Sequence, residues 1–249
     1  MKNEVLRLLM KKLLKQLLSL LHISVTRNQK YDAYTKKIIS RSLKPGSNCI
    51  DIGCHKGEIL DLMIAGAPLG KKIGFEPIPE LCDYLGSRYN ANPLVTIYPV
   101  ALYDKSGTTT FQHVLNAPAY SGIKKRKYDG KHVEIAQITV ETGLLDQFIP
   151  ADFQVHLIKI DVEGAEFKVM KGGVETIRRC KPVIIFEFGL GAADFYDSGP
   201  AELFSFLTTD CKMHISTLKG YLDNAAPLTE VEFCDAFNKG SEYYFVGHP

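Results

Sequence analysis

The chain holds 249 residues, 45% of them hydrophobic and 23% charged, the composition of an ordinary globular protein with material for one α/β core and some additions. A formal net charge of +2 is too small for the concentrated basic face of a nucleic-acid binder, so no nucleic-acid partner is expected. Cys49, Cys54, Cys82, Cys180, Cys211 and Cys234 are scattered without a CxxC pair or the close Cys and His spacing of a zinc site, which leaves no metal expected there and points to a reducing, cytoplasmic compartment.

Met1 to Val25 is rich in leucine and lysine. Lys11, Lys12 and Lys15 interrupt it before the roughly 18 apolar residues of a membrane span accumulate. Ser19, His22 and Ser24 break the remaining run, and no small-residue cleavage site of a signal peptide follows. Leu6, Leu9, Leu13, Leu17 and Leu20 share one helical face, with Arg7, Lys11 and Lys15 opposite. Such a helix either packs on the domain or on a partner chain, self-association included, or anchors the protein peripherally to anionic lipid.

A second helix is expected over Tyr31 to Leu43, ended by Lys44-Pro45-Gly46-Ser47, which divides an N-terminal helical region (1–44) from a main domain (45–249). Asn48 to Ile52, Lys71 to Phe75 and Val95 to Ala101 read as strands, separated by helices over Glu58 to Ile64 and Ile78 to Tyr89. This β-α-β-α-β order predicts an α/β fold with an open, mostly parallel sheet and right-handed crossovers. The alternation lapses over about residues 102–154. There Thr108 to Val114 and Val133 to Val140 read as an inserted β-ribbon around a polar, mobile loop from Asn116 to Lys131. Regularity returns with the strand Val155 to Ile160, a helix from Ala165 to Cys180, the strand Val183 to Phe188 and a helix near Ala201 to Thr208. Strands around Lys212 to Leu218 and Tyr243 to Gly247 complete the sheet. Cys49 and Cys54 are expected to pack as small apolar groups rather than pair.

Asp51-Ile52-Gly53-Cys54-His55-Lys56-Gly57 follows the first strand with the spacing D-x-G-x-x-x-G. In an open α/β sheet, ligands bind outside the carboxyl ends of the strands, so this loop is well placed for a cofactor. Gly53 permits a sharp turn, and Gly57 lets the next helix come close. The dinucleotide fingerprint G-x-G-x-x-G makes room for a pyrophosphate, but Cys54 and His55 occupy that space here. A cofactor with a nucleoside and without a pyrophosphate is the consequence. Glu76, about 25 residues after Asp51, ends the second strand where Rossmann-like folds put a carboxylate on the ribose hydroxyls. Asp161 ends the fourth main strand and enters Val162-Glu163-Gly164, and Glu187 ends the next one. Asp161 is open to three roles: general base, ligand of the cofactor's amino group, or metal ligand. For Glu163, capping of the following helix is an equal reading, and for Glu166 it is the preferred one.

IDIGCHKGE, GFEP, PVAL, the dipeptide Leu145-Asp146, IKIDVEGAEFKVMKGG and KPVIIFEFG together resemble the FkbM family of methyltransferases over nearly all of Asn48 to Gly247. The resemblance implies a class I methyltransferase (Rossmann-like) fold, S-adenosylmethionine as cofactor, and O-methylation of a hydroxyl or carboxyl, often on glycans or secondary metabolites. Residue by residue it supports Asp51, Gly53 and Gly57 on the methionine side, Glu76 on the ribose and Asp161 at the active-site edge. Cys54, Pro77 and Ala101 are expected to complete the cofactor surface. Thr142-Gly143 before Leu145-Asp146 departs from the family's more direct run into Leu-Asp.

A methyl sulfonium is already activated, so positioning supplies much of the rate. An alcohol acceptor gains a further 10²–10⁴-fold from a base, with Asp161 the first candidate and Glu187 the second; a carboxyl acceptor needs none. Tyr120, Ser121 and Lys124 in the insertion loop are expected to touch the acceptor, a small molecule or glycan, lipid-linked or a secondary metabolite. The neighbouring Lys125 and Arg126 suit an anionic or sugar-like group, unless this loop is merely solvated. A nucleotide-dependent oxidoreductase is disfavoured by the glycine pattern. A non-catalytic binding protein on a cofactor fold is the remaining alternative.

Overall fold

The computed structural model describes residues 26–128 and 132–249; the amphipathic segment Met1 to Val25 and part of the expected insertion loop lie outside the described residues. Among the described residues no helix is long and apolar enough to cross a membrane. The chain runs α1 (Arg27–Ser42), β1 (Cys49–Ile52), α2 (Glu58–Gly66), β2 (Lys72–Phe75), α3 (Pro79–Tyr89) and β3 (Val95–Tyr98). A small sheet follows, of β4 (Val100–Leu102), β5 (Gly107–Val114) and β6 (Ile135–Gly143). Then come α4 (Leu145–Phe148), β7 (Leu157–Ile160), α5 (Glu166–Gly172), α6 (Val174–Cys180) and β8 (Val183–Glu187). The chain closes with α7 (Pro200–Ser205), β9 (His214–Thr217), α8 (Leu218–Leu222), α9 (Glu230–Lys239) and β10 (Tyr244–His248).

The main sheet has seven strands in the order β3-β2-β1-β7-β8-β10-β9, parallel except for β10, which runs against both neighbours. This is an open, mostly parallel Rossmann-like sheet, not closed into a barrel. Strand order reverses between β1 and β7, and the loops leaving these two strands therefore flank the ligand crevice. A central parallel strand is covered on both faces and must be apolar on both, which is why β1 and β7 are buried at every position. Ile50, Ile52, Ile158 and Ile160 face one layer with α5, α6 and α9, while Cys49 and Leu157 face the other with α1, α2 and α3. Cys49 and Cys54 are buried free thiols, as packing groups should be.

Three boundaries differ from expectation for local reasons. The third strand is interrupted at Pro99, which cannot donate to a ladder; Val95–Tyr98 stays in the main sheet and Val100–Leu102 pairs with β6 instead. The expected helix from Ala165 to Cys180 breaks at Gly172-Gly173 into α5 and α6, glycine being a weak helix former. Two helices, α8 and α9, fill the stretch between the last two strands, where the sequence pattern predicts no element; α9 begins in a capping box of Thr229 and Glu232. The ribbon itself is present, as β5 and β6 pair antiparallel from Gly107–Thr142 to Val114–Ile135.

The insertion loop is pinned rather than free over the described residues. Gln112 and Gly122 exchange backbone hydrogen bonds, Lys124 N donates to Tyr196 Oη at 2.8 Å, and Lys127 N donates to Gly191 O at 3.1 Å. Thr142-Gly143 end β6, and Gly143 lets Phe148 pack against the backbone, where a Cβ would stand 2.8 Å from its ring. Asp146 then accepts from Glu175 N at 3.0 Å and Thr176 N at 2.8 Å. The Leu-Asp dipeptide thus fastens α4 to the start of α6.

Candidate active site

β1 and β2 deliver the cofactor loop and its carboxylate to one place. Gly53 N and Cys54 N both donate to Phe75 O, at 3.0 and 3.1 Å, so the loop turns across the end of β2. Gly53 sits at φ +83°, and a Cβ there would lie 2.0 Å from Asp161 O. Only glycine fits a left-handed turn that close to another strand's backbone. Gly57, also at φ +83°, starts α2, and Tyr89 Oη donates to its carbonyl at 3.1 Å.

Glu76 is 4% exposed and accepts from His55 N at 2.8 Å and from Ile78 N at 3.0 Å, one bond to each oxygen. Burial raises its carboxyl to about 7 although these amides favour the charge. Each oxygen keeps a second lone pair, enough for a pair of ribose hydroxyls. Glu76→Ala is expected to weaken S-adenosylhomocysteine binding by about 2 kcal/mol, roughly thirtyfold. Its unfolding midpoint should fall as well, since two loop amides lose their acceptor. Calorimetry showing wild-type affinity in a folded Glu76→Ala protein would remove this residue from the site.

One cleft gathers Gly53, Glu76, Pro77, Ala101, Ser121 and Asp161. Asp51 and Cys54 lie behind it under the loop, 1% and 3% exposed, and Cys54 Sγ donates to Asp51 O. Burial raises the Asp51 carboxyl to about 7 despite Lys159 nearby, and its Oδ2 has no protein donor. An unsatisfied buried acceptor beneath the glycine turn fits a ligand with ammonium or N–H groups. Ile78, Leu81, Leu102, Phe111 and Ile123 give the cleft an apolar wall suited to a planar base. Motif reading misses them, because on the sequence they look like ordinary strand and helix core.

Around Asp161 the charges are arranged in pairs. Lys159, 3% exposed on β7, donates to Asp161 Oδ2 at 2.8 Å, and Tyr244 Oη donates to the same oxygen at 2.8 Å. Burial opposes the Asp161 charge, but Lys159 and Tyr244 overcome it and hold its carboxyl below the usual range. Glu187 is pushed the other way, to about 7, by burial and by the negative Asp161. Of the two carboxyls, Glu187 is therefore the one that takes up a proton more readily. Glu166, fully buried, accepts from Val162 N and Gly164 N at 3.1 Å each and fixes the Asp161 turn; burial and Glu187 raise it to about 8. A lysine inside the apolar run Leu157–Ile160 was the sequence signal for this cluster, since lysine is almost never fully buried unpaired.

The insertion-loop residues divide. Ser121 lines the cleft, but its hydroxyl accepts from Val114 N at 2.9 Å and so also ties the ribbon together. Tyr120 lines a second, polar chamber that adjoins the cleft at Ala119, Asp161 and Glu163 and also takes in Glu187. Lys124 departs from expectation: its Nζ donates to Phe195 O at 2.7 Å and faces Asp197, away from both spaces. Arg126 takes the place expected of it, paired with Glu163 and over the Tyr120 ring at 5.4 Å.

A sequence model of the methyltransferase FkbM domain matches residues 51–215. The chain belongs to the FkbM methyltransferase family. The family implies S-adenosylmethionine as the donor, and the Asp51–Gly57 loop, Glu76 and the apolar wall fit it. The chain is 29% identical over 161 residues to the 2-O-methyltransferase NoeI of Sinorhizobium fredii, a match covering 59% of this chain and 65% of that protein. Among solved structures it is similar to an FkbM methyltransferase from Methylobacillus flagellatus, at 13% identity and a TM-score of 0.49, over 86% of this chain and 50% of that one. It is also similar to a TehB-like S-adenosylmethionine-dependent methyltransferase from Corynebacterium glutamicum, at 12% identity and a TM-score of 0.42, over 95% and 94% of the two chains.

Proposed function

We propose that this FkbM methyltransferase methylates a hydroxyl oxygen of a small-molecule or glycan acceptor held in the polar chamber. The observation that carries this reading is the shared wall: the Asp161–Glu163 turn closes the cofactor cleft on one side and the chamber on the other, with Glu187 in the chamber. A 2-O-methyltransferase relative agrees with a hydroxyl acceptor.

When bound, the cofactor supplies a methyl group activated by its sulfonium. The chain supplies the rest. Gly53 seats the methionine side, Glu76 orients the ribose, and the charged Asp161, held by Lys159 and Tyr244, offers Oδ1 to an ammonium group. A carboxylate kept ionised at low pH is a weak base at neutral pH, whereas one titrating near 7 is well matched to accept a hydroxyl proton. Glu187 is therefore the base in this proposal, and Asp161 the ligand. We read residues 45–249 as the catalytic unit, preceded by residues 1–44.

Two measurements test the reading. Calorimetry is expected to show binding of S-adenosylmethionine and S-adenosylhomocysteine but not NAD, because the loop lacks the middle glycine that makes room for a pyrophosphate in the dinucleotide fingerprint. Tight NAD binding would sink the link from loop to cofactor. A labelled-methyl screen of small molecules should then give a product stable to mild alkali, as an ether is; an alkali-labile product would be an ester and would remove the hydroxyl acceptor.

A further inference from the structure

Large apolar side chains exposed to solvent are few among the described residues. Leu69, Tyr84, Leu115 and Val231 come from four separate parts of the chain, as such residues ordinarily do. Tyr120, Leu190 and Phe195, at 37%, 54% and 42% exposure, instead belong to two adjoining segments, the insertion loop and the connection from β8 to α7. Lys127 N donates to Gly191 O across them, and Lys124 donates from its N to Tyr196 Oη and from its Nζ to Phe195 O. The connection holds its own shape, since Asp194 Oδ1 accepts from Gly191 N at 2.6 Å and Gly189 O accepts from Ala193 N at 3.1 Å. Tyr120 and Leu190 also line the polar chamber, so the apolar tips stand at its mouth.

The charge beside these tips is positive. Lys124, Lys125, Arg126 and Lys127 follow one another without a carboxylate, and Arg27 lines the chamber at the start of α1. Arg126 is paired with Glu163, and Lys124 faces Asp197 at 3.5 Å. Lys125 and Lys127 are exposed and, like Arg27, form no ion pair among the described residues. Against these three stand Asp194, which accepts from Gly191 N, and Asp32, one helical turn from Lys36. An exposed apolar patch marks a contact with another protein or with a membrane, and lysine is depleted in contacts between proteins. Lysines around apolar tips suit an anionic bilayer, where the tips pass the headgroups and the ammonium groups stay among the lipid phosphates.

The sequence supplies a second, independent pointer to the same partner. α1 begins at Arg27 on the chamber's rim, so Met1 to Val25 join the protein at this face. That segment sets a row of leucines opposite Arg7, Lys11 and Lys15, and Glu4 is its sole acidic residue. Two weak contacts carried by one chain reinforce each other, because the first raises the effective concentration of the second. We propose that the face formed by Leu190, Phe195, Lys125 and Lys127 docks on an anionic lipid bilayer, together with the N-terminal segment. The polar chamber then opens toward the lipid.

Co-sedimentation of the full chain with phosphatidylcholine vesicles, plain or with about one third phosphatidylglycerol, tests the proposal. Binding is expected to the anionic vesicles and to weaken as salt is added. Leu190→Asp/Phe195→Asp and, separately, Lys125→Glu/Lys127→Glu should each weaken it roughly tenfold or more. All four residues are exposed, so unfolding midpoints should stay near that of the wild type. A wild-type chain that stays in the supernatant, or that binds both kinds of vesicle equally, overturns the proposal. Variants that bind as tightly as wild type leave the N-terminal segment as the sole anchor and overturn the docking face. Sedimentation without lipid covers the remaining occupant: a wild-type dimer that Leu190→Asp/Phe195→Asp turns into monomers would make this face a contact between copies, and overturns it too.

Discussion

Gly53→Ala is expected to abolish measurable S-adenosylhomocysteine binding and to cost about 3 kcal/mol of stability, the largest loss of any single methyl addition in the cofactor loop. Part of the cost is conformational, since φ is +83° and a left-handed residue with a Cβ loses roughly 1–2 kcal/mol. The remainder is steric. The new Cβ would lie 2.0 Å from Asp161 O, and that oxygen belongs to the end of β7, which pairs with β1 through its whole length. Neither strand can retreat without disturbing the centre of the sheet. Gly57→Ala provides the contrast, because φ is again +83° but the Cβ would meet Tyr89 Oη, the far end of a side chain. A smaller loss, about 1–2 kcal/mol, is expected there. Denaturant midpoints and calorimetric titration of the two variants check the order; a Gly53→Ala protein that binds as tightly as wild type would show that the turn is not the cofactor's seat.

The parts legible in the sequence are those whose constraints are local. A D-x-G-x-x-x-G turn after an apolar strand and a glutamate at the next strand end announce themselves, because strand end and glycine turn fix their backbone position whatever packs around them. Lys159, Tyr244 and Arg126 were harder to see, although they set the charge of Asp161 and engage Glu163, because their meaning depends on contacts between β7, β10 and the insertion loop, far apart in the chain. The same holds for α1. Its burial of Ile38 and Ile39 follows from helical spacing, but nothing in its sequence tells that Asn28 and Asp32 stand beside Glu187 in one chamber. The insertion loop shows both limits at once: its basic run was visible, yet only Arg126 turns inward, since Lys124 is taken by the Phe195 carbonyl. Pro99 was visible too, and its effect on the third strand follows from the missing N–H; a continuous run from Val95 to Ala101 concealed it.

Glu187→Gln is expected to lower turnover by two or more powers of ten with little change in S-adenosylhomocysteine affinity, whereas Asp161→Asn should weaken that affinity together with turnover. The ranking follows from which carboxylate is available as a base. Lys159 and Tyr244 both bind Asp161 Oδ2, so taking up a proton there means giving up an ion pair and a hydrogen bond. Glu187 forms no ion pair among the described residues, and burial beside Asp161 has already raised its carboxyl to about 7. The sign of the pH dependence follows: the proton-accepting form is the deprotonated one, so kcat/KM of the wild type should rise with pH and level off above about 7. At saturating cofactor, Glu187→Gln should remove the Glu187 part of that rise, leaving only what the neighbouring Asp51, Glu76 and Glu166 carboxyls contribute. Were Asp161 the base, the outcome would reverse: Asp161→Asn would lose turnover at unchanged affinity, and the wild-type profile would already be flat above about pH 5, near the ordinary carboxylate range. The acceptor found by label transfer serves as substrate for these profiles, and calorimetry at matched pH keeps cofactor binding separate from the chemical step.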